Sequence, residues 1–493
     1  MRIEHTLGSL TDQGDIRITT ANQPPDAIRE WGLAGFLGGI GAFHNGEGNI
    51  MMDLSSRVEG SRTGITAKHD GEGDLSIIVG SAIPAAPDGT IRATGNRPTD
   101  HAIDVTHSGA GRITITLDGD VTSAGGNGVN ATTGANGTGI TINLGDGNVA
   151  GGRGGINVLN GGLGDVSITT ADAAVIGTTY YGIQVRDQNR GGVFVTTGTG
   201  NADGLAVKGG LGGVHVSNQG QGSIEITVGN GDIEGTRLQG IYARNMGDAG
   251  AISITLNGTA AVTGGYNGMY VYNSGLDATT IDLSGATGIV AGRNEDGLSA
   301  RAGYSNAGNL TITTGAGAGG VAVIGTGNGI DADHVGSGSI NITSGSGSIT
   351  GNGINGIEAR LSDSGRDITI MTGVGTVAGG TDGIFTDNAG VVRSLNGHAA
   401  SLAVDASGGE FRPLDGGRHK RLWSWRRPPD QHQHHRGRQQ GEAAGSDGLL
   451  RPRNLSERGN LQPVRRRVRR RVGLFRHASD CRRLHRVRRG PAA

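Results

Sequence analysis

The chain has 493 residues, of which 97 are glycine and 11 are proline, and this composition without a Gly-X-Y period excludes a collagen-like fold. Residues 1–411 hold 20 Lys and Arg against 38 Asp and Glu (net −18), whereas residues 412–493 hold 23 against 6 (net +17). The chain therefore has an acidic body and a basic tail. Cys481 is the only cysteine, which excludes disulfides and cysteine zinc sites from the acidic body.

The N-terminal segment shows no targeting signal. Residues 1–20 lack the basic start, apolar core and small-residue cleavage site of a signal peptide. The apolar stretch "WGLAGFLGGIGAF" at 31–43 is internal and interrupted by glycines. No stretch approaches the roughly 18 apolar residues that a membrane-spanning helix needs. We therefore expect no membrane span in this chain.

Two short patterns alternate along residues 10–405. The first is an alternating strand of the form I-x-I-T, with clear copies at 16, 113, 140, 166, 224, 252, 310, 340 and 368. The second has the form G-I-x-A, with copies at 155, 182, 204, 240, 268, 297, 329, 356 and 383. A third short aliphatic element, such as Val121, Val149 or Ile233, completes each period. Each period therefore predicts three short strands.

Short strands with one aliphatic face bury that face by coiling once and stacking on the next period. The sequence therefore predicts an all-β parallel β-helix, a solenoid. About 13 coils fit into the repeat region, and at roughly 4.8 Å per coil they form a rod on the order of 60 Å long. We expect the glycines to supply corners with positive φ.

The outward positions of the second pattern predict a basic and aromatic stripe on the acidic body. Tyr and Arg provide large contact areas for a ligand, so this face could hold a sugar polymer or a protein. The alternative is a solvated face with cross-strand stacking. Arg301, Asp333, Arg360 and Asp387 alternate in sign, which predicts charge pairing from coil to coil. The candidate binding residues are Arg186, Lys208, Tyr242, Arg244, Tyr270 and Tyr272.

An enzymatic alternative has to use carboxylates, because the repeats contain no recognisable nucleophile triad, phosphate loop or metal-ligand spacing. Asp331 and Asp333 share one predicted strand face about 7 Å apart, and Glu358 lies one coil away. This spacing could serve an inverting glycosidase, so the alternative function is a β-helical polysaccharide lyase or hydrolase that uses outward carboxylates. Ordinary outward acids balanced by arginines are the structural alternative. We predict a non-enzymatic protein with no cofactor and no metal, and with no assigned catalytic residue.

The repeats resemble the Gly/Thr/Asn-rich passenger regions of bacterial autotransporters and related surface adhesins, over roughly residues 10–405. The resemblance implies a right-handed β-helix, displayed at the cell surface or outer membrane or released outside the cell. It also implies adhesion to a glycan, a host component or another cell surface. A signal peptide and a C-terminal membrane barrel, which this family carries, are not recognised in this chain.

The Arg-rich tail, residues 406–493, is separated from the repeat domain, residues 1–405, and we predict that it is disordered. It supports three interpretations. Its 22 arginines could neutralise the phosphates of a nucleic acid, in which case a chain ending at residue 405 would not bind. His432, His434 and His435 could bind metal opportunistically. Alternatively, the tail is the product of a frameshift near residues 405–415.

The frameshift interpretation is tested by the DNA sequence. Shifted by one base, the codons of "DQHQHH" before Arg436 encode Thr, Ile, Ser or Asn, which is the strand pattern of the body, provided that Arg436 has a CGN codon. Every Arg codon becomes Gly, Ala, Val, Asp or Glu. We expect the shifted frame to contain further I-x-I-T and G-I-x-A copies. An early stop codon or an absence of such copies would rule the frameshift out.

Overall fold

The computed structural model describes residues 2–4, 14–20, 38–55, 57–80, 91–247, 250–362, 364–388, 401–405 and 411–413. The structural statements below concern these residues. They form strands and no helix, so none of them builds a helix able to cross a bilayer. Residues 414–493, and with them the predicted disorder of the tail, lie outside the described residues.

Three strands, one in each of three sheets, make one turn of the chain. Sheet A contains Arg2–Glu4, Gly38–His44, Thr63–His69, Ile103–His107, Val129–Thr133, Ile156–Asn160, Ile183–Asp187, Val214–Asn218, Ile241–Asn245, Met269–Asn273, Leu298–Ala302, Ile330–His334, Asn355–Leu361 and Asp382–Asn388. Sheet B contains Ile16–Thr20, Ile50–Leu54, Leu75–Val79, Arg112–Leu117, Gly139–Leu144, Val166–Thr170, Val193–Thr197, Ile224–Val228, Ile252–Gly258, Thr279–Ala286, Leu310–Thr313, Ile340–Thr343, Asp367–Met371 and Ser401–Asp405. Sheet C contains Val58–Gly60, Ile91–Ala93, Val121–Ser123, Val149–Gly151, Val175–Gly177, Leu205–Gly209, Asp232–Gly235, Val262–Gly264, Val290–Gly292, Val321–Gly325, Ser348–Gly351, Val377–Gly379 and Phe411–Pro413.

Within each sheet, every strand between the two end strands pairs in parallel with the strand one turn earlier and with the strand one turn later. The pairing is in register, so that Ile113 lies beside Ile140 and Thr114 beside Thr141. The result is a parallel β-solenoid of about 12 turns. The predicted β-helix is confirmed, with the I-x-I-T pattern forming sheet B and the G-I-x-A pattern forming sheet A. The right hand implied by the resemblance stays a prediction.

The core is a set of aliphatic columns that run through the stacked turns. Successive strand residues alternate between buried and partly exposed, as the period of two requires. Ile140 of sheet B, Val175 of sheet C and Ile241 of sheet A are all fully buried. Each such side chain contributes roughly 1.5–3 kcal/mol relative to exposure. The rod is therefore stabilised by contacts that repeat from turn to turn.

The corner between sheets C and A requires glycine because the backbone crowds it. A Cβ at Gly235 would overlap the carbonyl oxygen of Gln239, and a Cβ at Gly264 would overlap that of Asn267. Positive φ is found among the described glycines at only a few positions, such as Gly200 (φ 74°) and Gly258 (φ 67°). The prediction that corner glycines serve positive φ is therefore wrong for most turns, where close backbone approach is the reason.

Polar side chains form a buried column at the end of the sheet A strands, which we call the corner ladder. Asn218 donates from Nδ2 to the carbonyl of Gly222 (2.8 Å) and accepts from the amide of Gly220 (2.7 Å). His69 makes the same pair of bonds through Nε2 and Nδ1, with Gly48 (2.7 Å) and Gly71 (3.0 Å). The corner ladder comprises His44, His69, His107, Thr133, Asn160, Asp187, Asn218, Asn245 and Asn273.

Two ladder positions carry perturbed titratable groups. Burial lowers the pKa of His69 to about 4, so its imidazole is neutral and can stack on His107, with ring centroids 4.7 Å apart. Burial raises the pKa of Asp187 to about 7, although Asn160 donates a 2.7 Å hydrogen bond to its Oδ1. Asp187 Oδ2 has no hydrogen-bond partner. The ladder therefore tolerates neutral side chains better than charged ones.

His69→Asn should reduce the acid sensitivity of the solenoid. The unfolded chain binds a proton on His69 with a pKa near 6.5 and the folded chain with a pKa of about 4, so stability falls as the pH drops between these values. Asn already occupies this ladder position in later turns. Between pH 7 and pH 4 the variant should lose about 2–3 kcal/mol less unfolding free energy than the wild type. Urea denaturation at both pH values measures this, and equal losses would contradict it.

Candidate functional site

Sheet A carries two outward columns over its central turns. In the first column Gln184, His215, Tyr242, Tyr270 and Ser299 are successive register partners. In the second column the partners follow the order Arg186, Ser217, Arg244, Tyr272 and Arg301. The structure thus brings together five of the six predicted binding residues: Arg186, Tyr242, Arg244, Tyr270 and Tyr272.

Lys208 does not belong to these columns. It lies in sheet C, where its register partners are Ile176 and Glu234, and its Nζ forms an ion pair with Glu234 at 2.8 Å. The sheet A strand of this turn is Val214–Asn218. It begins at the second residue of another G-aliphatic copy, "GVHV" at 213. The placement of Lys208 on the stripe is therefore wrong, and so is the assignment of the copy at 204 to sheet A, because its strand Leu205–Gly209 lies in sheet C.

The correction adds residues that the sequence interpretation missed. His215 and Ser217 replace the positions that had been given to Ala206 and Lys208. Tyr181 joins them from the corner before the strand Ile183–Asp187, with its ring against His215. We use the name sheet A stripe for Tyr181, Arg186, His215, Ser217, Tyr242, Arg244, Tyr270, Tyr272 and Arg301. The "GVHV" copy was the signal that could have revealed His215.

Four rings of the stripe form a continuous stack along the rod. The ring centroids of Tyr181 and His215 are 4.4 Å apart with a tilt of 35°. His215 and Tyr242 are 4.4 Å apart and nearly parallel at 2°. Tyr242 and Tyr270 are 5.5 Å apart at 11°. Because the interior ring faces cover one another, the stack presents mainly ring edges to solvent.

The corner beside the first ring is shaped by glycine. A Cβ at Gly212 would lie 3.1 Å from ring atoms of Tyr181, so glycine at this position leaves room for the ring. Below it, Tyr180 packs edge-on against Tyr181, with centroids 6.1 Å apart. Asn157, Gln184 and these two tyrosines line a shallow depression at this end of the stack. The sheet A stripe therefore begins at a corner in which Tyr180 and Tyr181 are packed against each other.

Three ionisable rings of the stack, those of Tyr181, His215 and Tyr270, are neutral near pH 7. Burial, together with the nearby guanidinium groups of Arg186 and Arg244, lowers the pKa of His215 to about 4. Burial also raises the pKa of Tyr181 and that of Tyr270 above the usual value for tyrosine. The hydroxyl groups of Tyr181 and Tyr270 therefore stay protonated, and they can both donate and accept hydrogen bonds.

The positive charges stand beside the stack. The guanidinium carbon of Arg244 lies 5.5 Å from the ring centroid of Tyr272, which is a cation–π contact. At the corner, Arg153 makes a similar contact with Tyr180 at 4.8 Å. Within the described part of the chain, neither Arg186 nor Arg244 forms an ion pair. Their charge is therefore available to an external anion.

The predicted carboxylates lie on the following turns of sheet A, and two of them, Asp331 and Glu358, form ion pairs with arginines. Asp331 is almost fully buried and pairs with Arg360 at 3.1 Å and with Arg301 at 3.7 Å. Arg360 also pairs with Glu358 at 3.2 Å. Burial raises the pKa of the half-buried Asp333. In the described region neither Asp333 nor Asp387 lies in an ion pair, so the predicted pairing up the column is wrong.

Removing the central ring of the stack should destabilise the protein. Tyr242→Ala uncovers the facing rings of His215 and Tyr270, and two aromatic contacts together are worth about 1–3 kcal/mol. The exposed Tyr304, with 85% of its surface accessible, supplies the control. Tyr304→Ala should change stability by less than about 0.5 kcal/mol. Urea denaturation compares the two variants, and equal losses would show that the stack contributes nothing to stability.

Comparisons with protein-family models, with curated proteins and with solved structures give no match for this chain. Among the described residues, no group of three or more His, Cys, Asp or Glu side chains is placed to hold a metal ion.

Proposed function

We propose that this chain is a non-enzymatic β-helical module that binds a partner along one face of its rod, in the manner of the passenger of a bacterial surface adhesin. The observation that carries the proposal is the sheet A stripe. It combines stacked rings with the guanidinium groups of Arg186 and Arg244, which form no ion pair within the described residues. No other class of site is needed to explain this arrangement.

The stripe has the properties of a recognition surface. Tyr and Arg are enriched among the residues that dominate binding energies. The rings are already held by their neighbours, so little side-chain entropy is lost when a partner binds. The stripe also concentrates positive charge on a body with an excess of Asp and Glu. An anionic partner is therefore attracted to this face rather than to the rest of the rod.

The proposed location is outside the cell, at the cell surface or the outer membrane. The resemblance of the repeats to autotransporter passengers supports it, as does the confinement of cysteine to Cys481 in the tail. A rod built from repeating turns also presents the same kind of face over a long distance, which suits contact with an extended partner. The partner classes are a glycan, a host component or another cell surface.

The arrangement of the carboxylates supports a non-enzymatic role. Asp331 is held by two arginines, and Glu358 shares one of them. A catalytic carboxyl has to face the substrate, whereas these carboxyl oxygens are engaged by guanidinium groups. The pKa of Asp333 is raised, as that of a general acid would be. Its acidic neighbour Asp331, however, is already held in an ion pair with Arg360. These contacts favour a structural role for the group.

Binding without turnover tests the proposal. The full chain is applied to an array of neutral and anionic polysaccharides, matrix proteins and fixed cells, and both retention and product formation are measured. We expect saturable retention and no cleaved product. The double variant Tyr270→Ala with Arg244→Ala should weaken binding at least about tenfold, because it removes one ring and one cation from the stripe.

A matched control removes one aromatic and one cationic side chain from the other two sheets. Phe194 is exposed on sheet B, and Lys208 lies on sheet C. The double variant Phe194→Ala with Lys208→Ala should bind as the wild type does. Loss of binding in this control, or retention by no surface on the array, would contradict the proposal. Cleavage of a polysaccharide that Asp333→Ala abolishes would replace it with the enzymatic alternative.

A further inference from the structure

The cations of the stripe occur at a regular spacing. Arg186, Arg244 and Arg301 hold the same strand position in alternate turns, with Ser217 and Tyr272 in the turns between. Because neighbouring strands lie about 4.8 Å apart, successive arginines are about 10 Å apart and the whole line spans about 19 Å. The stripe therefore places one arginine in every second turn, and the last of them, Arg301, shares its charge with Asp331.

The rings between these charges restrict how a ligand can be recognised. The faces of His215 and Tyr242 are covered by their neighbours in the stack. A sugar or a base cannot stack on a covered face, so it contacts ring edges and hydroxyl groups instead. Recognition along the stripe therefore depends on charge and on hydrogen bonds to hydroxyl groups, with little contribution from face-to-face stacking.

We propose that the sheet A stripe binds a linear anionic glycan in which charged and uncharged sugars alternate, lying along the axis of the rod. This inference rests on the proposed binding function and names the ligand class for the same face. The length of one pyranose unit in an extended glycan is close to the spacing of one turn. An anionic group on every second sugar therefore meets Arg186, Arg244 and Arg301 in sequence.

The uncharged positions fit the sugars between the anionic groups. The hydroxyl groups of Tyr242 and Tyr270 and of Ser217 stand beside the arginines and can exchange hydrogen bonds with sugar hydroxyls. Burial raises the pKa of Tyr270, so its protonated hydroxyl adds no negative charge that would repel the glycan. The stripe thus alternates charged and neutral contacts in the same order as the proposed ligand.

The turns after the stripe limit the bound segment. Asp331, Asp333 and Glu358 follow Arg301 on the same face, and Asp331 draws on the charge of Arg301 at 3.7 Å. An anionic chain is therefore repelled beyond this turn. Nucleic acid fits the spacing less well, because its phosphates recur about every 3.4 Å along each strand and most of them would face uncharged positions.

Four polymers of matched length test the ligand class with the full chain. Hyaluronan oligosaccharides carry a carboxylate on every second sugar, oligogalacturonate on every sugar, and chitin oligosaccharides on none, while single-stranded DNA supplies the phosphate alternative. We expect hyaluronan to bind most tightly, with an affinity that falls as NaCl is raised. Arg186→Gln and Arg244→Gln should each weaken hyaluronan binding about tenfold, because each removes one charge-assisted contact. Lys208→Gln should have no effect.

The outcomes separate this inference from the function on which it rests. Binding of proteins or cells but of none of the four polymers would overturn the glycan assignment and leave a binding function. Equal binding of chitin oligosaccharides, unaffected by Arg244→Gln, would overturn the role of charge. Tighter binding of DNA or oligogalacturonate through the same arginines would overturn the alternating pattern. A Lys208→Gln effect as large as that of Arg244→Gln would overturn the location.

Discussion

Parallel pairing in register places most strand side chains directly beside the residue at the same position of the next turn, with register shifts in three strand pairs. This constraint acts on the inward and the outward faces alike. Inside, it stacks aliphatic residues in columns, as with Ile140 and Val166 of sheet B. Outside, it stacks whatever the sequence offers at that position, including the rings of His215 and Tyr242. The core, the corner ladder and the stripe are therefore three results of one pairing geometry.

The same constraint favours side chains that can lie beside a similar side chain of the next turn. Neutral amides and imidazoles stack well, because each can donate one hydrogen bond and accept another, and the corner ladder is made largely of them. Like charges repel when stacked. Arginines in the second outward column are accordingly separated by Ser217 and Tyr272. Further along, Arg301 and Arg360 pair with Asp331 across the columns.

Most of the fold could be predicted from the sequence because the strand pattern repeats. The period of two within each strand and the recurrence of three strands per turn predicted the three sheets. The stripe was predicted for the same reason, since outward residues one period apart must lie side by side. Whether the glycines serve positive φ could not be predicted, because crowding by a backbone carbonyl, as at Gly235, leaves no mark in the local sequence.

The error at Lys208 has a physical origin in loop length. In the turns on either side, the sheet A strand begins ten or eleven residues before the next sheet B strand, as Ile183 precedes Val193 and Ile241 precedes Ile252. The strand of the copy at 204 begins at Leu205, nineteen residues before the sheet B strand that begins at Ile224. The strand of the second copy begins at Val214, ten residues before Ile224. Two G-aliphatic copies compete in this turn, and only the distance to the next strand distinguishes them. Side-chain pairs such as Arg360 and Asp331 depend on rotamers, which strand periodicity does not determine.

The direction of the backbone hydrogen bonds has a mechanical consequence. In a rod of this kind the bonds between turns point along the axis, and each turn contacts only its two neighbours. Tension applied to one end of the chain therefore opens the bonds of the terminal turn in succession, while the turns behind it carry little load. Under a steady force the rod would therefore unfold one turn at a time. A surface module built this way would lengthen gradually under tension while its distant turns kept their shape.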